Sequence, residues 1–134
     1  SASVSGLLLD THVWLWSLGD PDRLSPTVRA AIVDATEVVL SVASVWEVGI
    51  KHAMGKLLLP GGPRPLVDEA VRALHARVLP IGVDHVLEAA RLPMHHRDPF
   101  DRLLVAQCRV EGLTLVTVDE ALRPYEVALL WAAV

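Results

Sequence analysis

Short apolar runs alternate along this chain with longer stretches in which apolar residues return every three or four positions. The runs Gly6-Leu7-Leu8-Leu9, Val38-Val39-Leu40 and Leu113-Thr114-Leu115-Val116-Thr117 predict buried strands. Leu79-Pro80-Ile81 predicts a short strand, placed at an edge by its proline, and Val127 to Leu130 a weaker one. Ser25-Pro26 opens a helix that runs to about Ala35, with proline at its first position. Val42, Val45, Trp46, Ile50, Ala53 and Met54 keep helical spacing until Gly55 stops them. Leu59 to Pro65 is a Pro/Gly-rich loop, followed by amphipathic helices over Leu66–Val78 and Asp84–Leu92. Asp98-Pro99 opens a last helix, which runs to Gly112.

Strands alternating with helices predict an α/β fold with a central, mainly parallel β-sheet flanked by α-helices. Ligands of such folds bind beyond the carboxyl ends of the strands. Residues just after a strand lie at that edge, as do the first turns of helices that run antiparallel to the strands. Asp10 directly follows the first strand, and Asp119 follows Leu113–Thr117 by one residue. Glu47 and Asp101 fall early in the helices after Val38-Leu40 and before Leu113–Thr117. All four acids are therefore expected at one edge. Crowded carboxylates raise one another's pKa, and a divalent cation relieves that repulsion.

Each acid also has a purely local reading. Asp10 could cap a helix beginning at Thr11-His12. Ser44-Val45-Trp46-Glu47 matches a capping box, although the apolar pattern reaches back to Val42 and makes Ser41 an equal candidate for the cap. Asp98 is assigned to the cap of the last helix; Asp101 could be a favourable acid at its N3 position, yet it shares a face with Leu104, Val105 and Cys108. Asp119 could be a turn residue. Each local reading stands on its own, but together they leave the shared edge as coincidence.

Composition narrows the class. The chain has 134 residues, 52% of them hydrophobic, and no stretch long enough to cross a membrane. One domain is the natural expectation. The start, SASVSG, lacks the basic and apolar blocks of a signal peptide and is expected to be a flexible or cloning-derived extension. A single cysteine, Cys108, excludes an internal disulfide or a cysteine-based zinc site. A cytoplasmic location is the simplest expectation. The net charge of −4 does not advertise a nucleic-acid binder, but bound cations would offset it in a metal-dependent nuclease. A mean hydropathy of +0.42 is high for so small a chain and points to apolar interfaces.

Taken together, Leu7-Leu8-Leu9-Asp10-Thr11-His12, the stretch Leu40 to Val48, His95-His96-Arg97-Asp98-Pro99-Phe100-Asp101-Arg102-Leu103-Leu104 and Leu115-Val116-Thr117-Val118-Asp119 resemble the PIN-domain family. More narrowly they resemble the VapC toxins of bacterial toxin–antitoxin pairs, in order, from Leu7 to about Trp131. The resemblance implies a PIN-like three-layer fold and an acidic pocket that binds Mg²⁺ or Mn²⁺. It implies an endoribonuclease inhibited by a VapB-type antitoxin, and the high hydrophobicity fits two interfaces, a homodimer and a groove for an apolar antitoxin segment. Carried over by motif, Asp10, Glu47, Asp101 and Asp119 are both the catalytic and the metal-binding residues. Asp10 and Asp101 would contact the main ion, Asp119 would complete its site or hold a second one, and Glu47 would hold the attacking water or help remove its proton. Thr117 matches the Ser or Thr near the last acid of the family.

Other residues have less specific readings. Arg102, Arg97, Lys51, Lys56 and Arg64 are candidates for binding phosphates, with Lys51 equally suited to an ion pair with Glu47. His95 and His96 are adjacent in a loop and should face different ways; neither is assigned to the pocket. Trp14, Trp16 and Trp46 belong to the core or to an antitoxin groove, or one of them stacks on a base. Cys108 is a packed core residue. Two other functions remain open from sequence: a non-catalytic binding module stabilised by a cation, and an aspartyl phosphoacceptor. The second lacks both the acid close after Asp10 and a lysine beyond Lys56.

Overall fold

A computed structural model describes residues 6–133. The expectation of a flexible start covers residues 1–6; residues 1–5 lie outside the described residues, and Gly6 is corrected, being buried with its carbonyl accepting from the Thr114 amide. In chain order the elements are β1 (Leu7–Leu9), α1 (Thr11–Gly19), α2 (Pro26–Asp34), β2 (Val38–Ser41), α3 (Val42–Ala53), α4 (Arg64–Ala73), β3 (Arg77–Leu79), α5 (Val83–Arg91), α6 (Pro99–Glu111), β4 (Thr114–Thr117) and β5 (Leu129–Trp131). Single 3₁₀ turns lie at Pro21–Arg23 and Glu120–Leu122.

The five strands form one sheet in the order β3-β2-β1-β4-β5. Every pairing is parallel. Alternate side chains of a strand point to opposite faces. Leu7 and Leu9 accordingly join a core with Val13, Trp14, Val28 and Ala70 from α1, α2 and α4. Leu8 joins the other core, with Leu104, Val105 and Cys108 of α6. Both faces of the sheet are thus covered, which is why its central strands read as unbroken apolar runs. Removing one such side chain, as in Leu8→Ala, costs about 2–5 kcal/mol.

The chain builds outward from β1 on one side through β2 and β3, then returns to β1's other edge with β4 and β5. That reversal opens a crevice beyond the carboxyl ends of β1 and β4. The elements around it end and begin where the side chains dictate. Ser41 caps α3, its hydroxyl accepting from the Ala43 amide, so the capping-box start at Ser44 does not form and Glu47 lies inside the helix. Asp98 caps α6 by accepting from the amides of Phe100 and Asp101. Gly112 ends α6 with φ 69°, a left-handed conformation suited to glycine.

Two expectations about α4 and β3 are corrected. The helix expected over Leu66–Val78 begins earlier, at Arg64, and ends at Ala73. Pro65 falls in its first turn, where a missing amide hydrogen does no harm. His75 then turns the chain with φ 53°, and the Ala76 amide closes back onto the Ala70 carbonyl. The strand expected at Leu79–Ile81 is Arg77–Leu79 instead, because Pro80 has no amide hydrogen with which to extend the ladder. It does lie at the sheet edge.

Candidate active site

Asp10, Glu47, Asp101 and Asp119 line one open cleft of about 410 Å³ at the carboxyl edge of β1 and β4. Asp98, His96, Lys51, Thr11, His12 and Trp16 complete its wall. Sheet polarity brings the acids there: Asp10 ends β1, Asp119 follows β4, and Glu47 and Asp101 project from the early turns of α3 and α6.

Asp10 is held most firmly. One oxygen accepts from the Val13 amide at 2.8 Å and so caps α1. The other accepts from Thr117 Oγ1 at 2.6 Å and from the Val118 amide at 3.3 Å. Capping and membership of the acidic cleft are both realised, because the two oxygens serve different donors. Burial raises the Asp10 carboxyl above its ordinary value, while these hydrogen bonds work in the opposite direction. Thr117 in turn accepts from the Asp119 amide at 3.0 Å, which joins the ends of β1 and β4 through one hydroxyl.

Glu47 is buried, with Oε1 accepting from Thr11 Oγ1 at 2.7 Å and Oε2 paired with Lys51 Nζ at 3.0 Å. Lys51 therefore does form the intrahelical pair, at the cleft wall. Asp119 caps the 3₁₀ turn after β4 through Oδ1, leaving Oδ2 towards the cleft, 3.2 Å from His96 Nε2. The same His96 nitrogen lies 2.9 Å from Asp101 Oδ2. Burial pushes the Asp101 carboxyl up to about 7; the neighbouring Asp98, Asp119 and Asp10 add to the rise and the His96 hydrogen bond opposes it.

His96 is a cleft residue that sequence patterns do not reveal. The two histidines do diverge: His95 packs edge-to-face on Tyr125 with ring centroids 5.1 Å apart, while His96 turns inward between two acids. Loop residues follow no periodicity from which such a direction could be read. The one available signal is the helix start at Asp98-Pro99, which fixes the entry of the preceding residues next to Asp101.

Two candidate substrate-binding residues are corrected. Arg102 is buried and faces away from the cleft. Its guanidinium donates to the carbonyls of Ala89, Leu92 and Pro93 and to the Tyr125 hydroxyl. Tyr125 Oη also accepts from the His96 amide, so Arg102 braces the loop that carries His96. Thr117 is fully buried and acts on Asp10, with no surface for a substrate. Arg97 and Lys56 are exposed along a neighbouring groove, and Arg64 pairs with Asp68 on α4. Trp14 is core, Trp16 lines the cleft under the Arg23 guanidinium, and Trp46 is exposed. Cys108 is buried, which pushes its thiol pKa up.

The donor set suits a hard divalent cation. Five carboxylates meet at this cleft, and among the described residues Lys51 is the one lysine or arginine of its wall. Ligand atoms of His96, Asp98 and Asp101 lie within 4.8 Å of one another, a spacing at which one ion could be gripped. Carboxylate oxygens and water are the preferred ligands of Mg²⁺ and Mn²⁺, and imidazole is acceptable to the latter.

Comparison with known proteins agrees with this architecture. The family model described as "PIN domain" matches residues 7–127. The curated protein Ribonuclease VapC22 from Mycobacterium tuberculosis is 31% identical over 120 residues, spanning 89% of this chain and 91% of its own. Among solved structures, VapBC2 from Rickettsia felis bound to a promoter DNA fragment superposes with a TM-score of 0.73 at 12% identity, over 95% of this chain and 98% of the matched one. A toxin–antitoxin complex from Klebsiella pneumoniae gives a TM-score of 0.65 at 13% identity, over 93% and 96%. At those identities the structures speak for the fold. With the motif order, the family match and the curated relative in agreement, the chain belongs to the PIN-domain family, in its VapC group.

Proposed function

We propose that this chain is a divalent-metal-dependent endoribonuclease and the toxin of a type II toxin–antitoxin pair. The observation that carries the reading is the convergence of Asp10, Glu47, Asp98, Asp101 and Asp119 on one cleft. Asp10, Asp101 and Asp119 would hold Mg²⁺ or Mn²⁺. When bound, the cation supplies Lewis acidity: it activates water for in-line attack on phosphorus and offsets the charge that develops on the leaving 3′ oxygen.

The chain's own groups do the positioning. Thr117 and the amides of Val13 and Val118 fix both oxygens of Asp10, so its geometry is set before substrate arrives. Thr11 and Lys51 hold the two oxygens of Glu47, which leaves this carboxylate oriented at the cleft wall to accept a proton from water. His96 bridges Asp101 and Asp119, and a bound cation would replace these contacts, with His96 itself placed to serve as a ligand.

VapC22 is named a ribonuclease, and the matched Rickettsia felis and Klebsiella pneumoniae structures are of VapBC2 and of a toxin–antitoxin complex. On that basis we assign RNA as the substrate and a VapB-type antitoxin as the partner. Exposed Val33, Leu58, Val83 and Leu87 offer apolar surface that an antitoxin and a second copy would cover. The test is incubation of a mixed RNA pool with antitoxin-free protein in Mg²⁺, Mn²⁺ or EDTA, beside Asp101→Asn and a single-stranded DNA control. Metal-dependent RNA cleavage that disappears in the variant is expected. Metal binding with no cleavage by the wild-type chain refutes the enzymatic reading.

A further inference from the structure

Beyond the acidic cleft, the exposed side of α3 carries an apolar stripe. Trp46, Ile50 and Met54 are spaced four residues apart and share one helix face. Trp46 is 60% exposed and Met54 61%. Trp46 is not loose, however: it meets the ring of Phe100, from the first turn of α6, edge-on at 5.2 Å. Beside this pair runs an open groove of about 470 Å³, floored by Ile50, Met54, Pro99 and Phe100. Glu47, Lys51 and Asp98 line both this groove and the acidic cleft, so one leads directly into the other.

The distribution of positive charge singles out the same groove. Of the 12 lysines and arginines, eight are ion-paired with a carboxylate. Arg102 is engaged by carbonyls and a phenol, and Arg23 lies over the Trp16 ring. Among the described residues that leaves Lys56 and Arg97 without an acidic or aromatic partner, and both line this groove. In a chain of net charge −4, the two uncommitted cations flank one apolar floor at the mouth of the acidic cleft.

We infer that this groove seats an unpaired nucleotide of the RNA strand next to the phosphate to be cut, with its base stacked on the exposed Trp46 ring at the groove's rim beside Phe100 and its phosphates met by Lys56 and Arg97. The inference rests on the ribonuclease reading above. A strand with one phosphate in the cleft must leave by an open end, and this end combines the two features single strands need: an aromatic face and free positive charge. An apolar peptide would gain nothing from the two cations. An acidic peptide could meet the two cations but has no planar base to lay on an aromatic ring. The groove would then favour unpaired over helical RNA, because a paired base cannot present its face to an aromatic ring.

The experiment measures binding of a fluorescent single-stranded RNA of mixed sequence to the full chain carrying Asp101→Asn in EDTA, across a salt series. Adding Trp46→Ala should weaken binding about tenfold, within the range for removing one base–aromatic stack, while Trp46→Phe keeps most of the affinity. Adding Lys56→Ala with Arg97→Ala should weaken binding and lower the slope of log affinity against log salt by about 0.7 for each phosphate no longer neutralised. Affinity unchanged by these substitutions, while the unsubstituted chain cuts RNA in Mg²⁺ or Mn²⁺, overturns the groove assignment and leaves the ribonuclease reading standing. No cutting by the unsubstituted chain removes both. Unchanged RNA affinity with a shift from dimer to monomer in Trp46→Ala assigns the face to a second copy and overturns the inference.

Discussion

Replacing Asp101 with asparagine should make the metal-free protein more stable, although it removes a carboxylate proposed to hold the metal. The reason lies in the Asp101 carboxyl, whose pKa burial and three neighbouring acids push up to about 7 from an unfolded value of 3.8. Below pH 4 the group is protonated in both states and contributes no pH-dependent difference. Between 4 and 7 the unfolded chain has released its proton while the folded chain retains it, so stability falls as pH rises. Above 7 the folded protein must carry the crowded charge, and the full cost is present. Each unit of pKa shift corresponds to about 1.4 kcal/mol. Asp101 shares its proton balance with its neighbours, so the gain expected from asparagine at pH 8.5 is about 1–3 kcal/mol. For a domain of this size that is a rise in Tm of roughly 3–10 °C. The assay is thermal unfolding in EDTA at pH 8.5 and again near pH 4, where the difference should nearly vanish. Saturating Mg²⁺ at pH 8.5 should then stabilise the wild type and not the variant, since a cation that binds the folded state stabilises it by about 2.7 kcal/mol at a hundred times its Kd. A variant no more stable than wild type at pH 8.5 in EDTA would refute the claim that Asp101 is held in a repulsive, desolvated cluster.

Metal affinity should rise with pH through about 7, with proton release on binding, because the cation displaces the proton that Asp101 retains; calorimetry in two buffers of different ionisation enthalpy counts the protons. Thr117→Val removes the 2.6 Å donor to Asp10, and should cost about 1–2 kcal/mol of stability and weaken metal binding, as read by urea denaturation and metal titration. Arg102→Met should destabilise the fold by about 3 kcal/mol, since three loop carbonyls and Tyr125 lose their donor; a denaturation midpoint equal to wild type would show that the brace is dispensable. Cys108 should resist alkylation in the native protein and react at once in denaturant, because burial keeps its thiol protonated.

Whatever depends on period and polarity is legible in the sequence. The buried runs at Leu7–Leu9 and Leu113–Thr117 leave little choice but central strands, and the direction of those strands carries Asp10 and Asp119 to one edge. Asp101 is legible through its helical face, shared with Leu104 and Cys108. The misread side chains have a common physical origin: they concern which way a side chain leaves a backbone whose direction no pattern announces. Arg102 follows Asp101 directly, and adjacency suggests a shared site, but one step along a helix turns a side chain by about 100°. That rotation carries Arg102 under the loop of Ala89 to Pro93. His96 goes the other way, from an irregular segment into the cleft. The α4 boundaries differ from expectation because His75 takes a left-handed conformation that the sequence marks with no glycine.

The hydroxyl that joins Asp10 to the end of β4 spans 107 positions of sequence. Until residue 117 has been synthesised and β4 has docked, β1 keeps an open edge and Asp10 lacks one of its two anchors. Growth of the polypeptide on the ribosome therefore imposes a timetable: an N-terminal fragment that stops short of β4, however long it pauses, contains no completed cleft. The cleft is therefore among the last features of the sheet to form, because its first acid waits on a partner from the fourth strand.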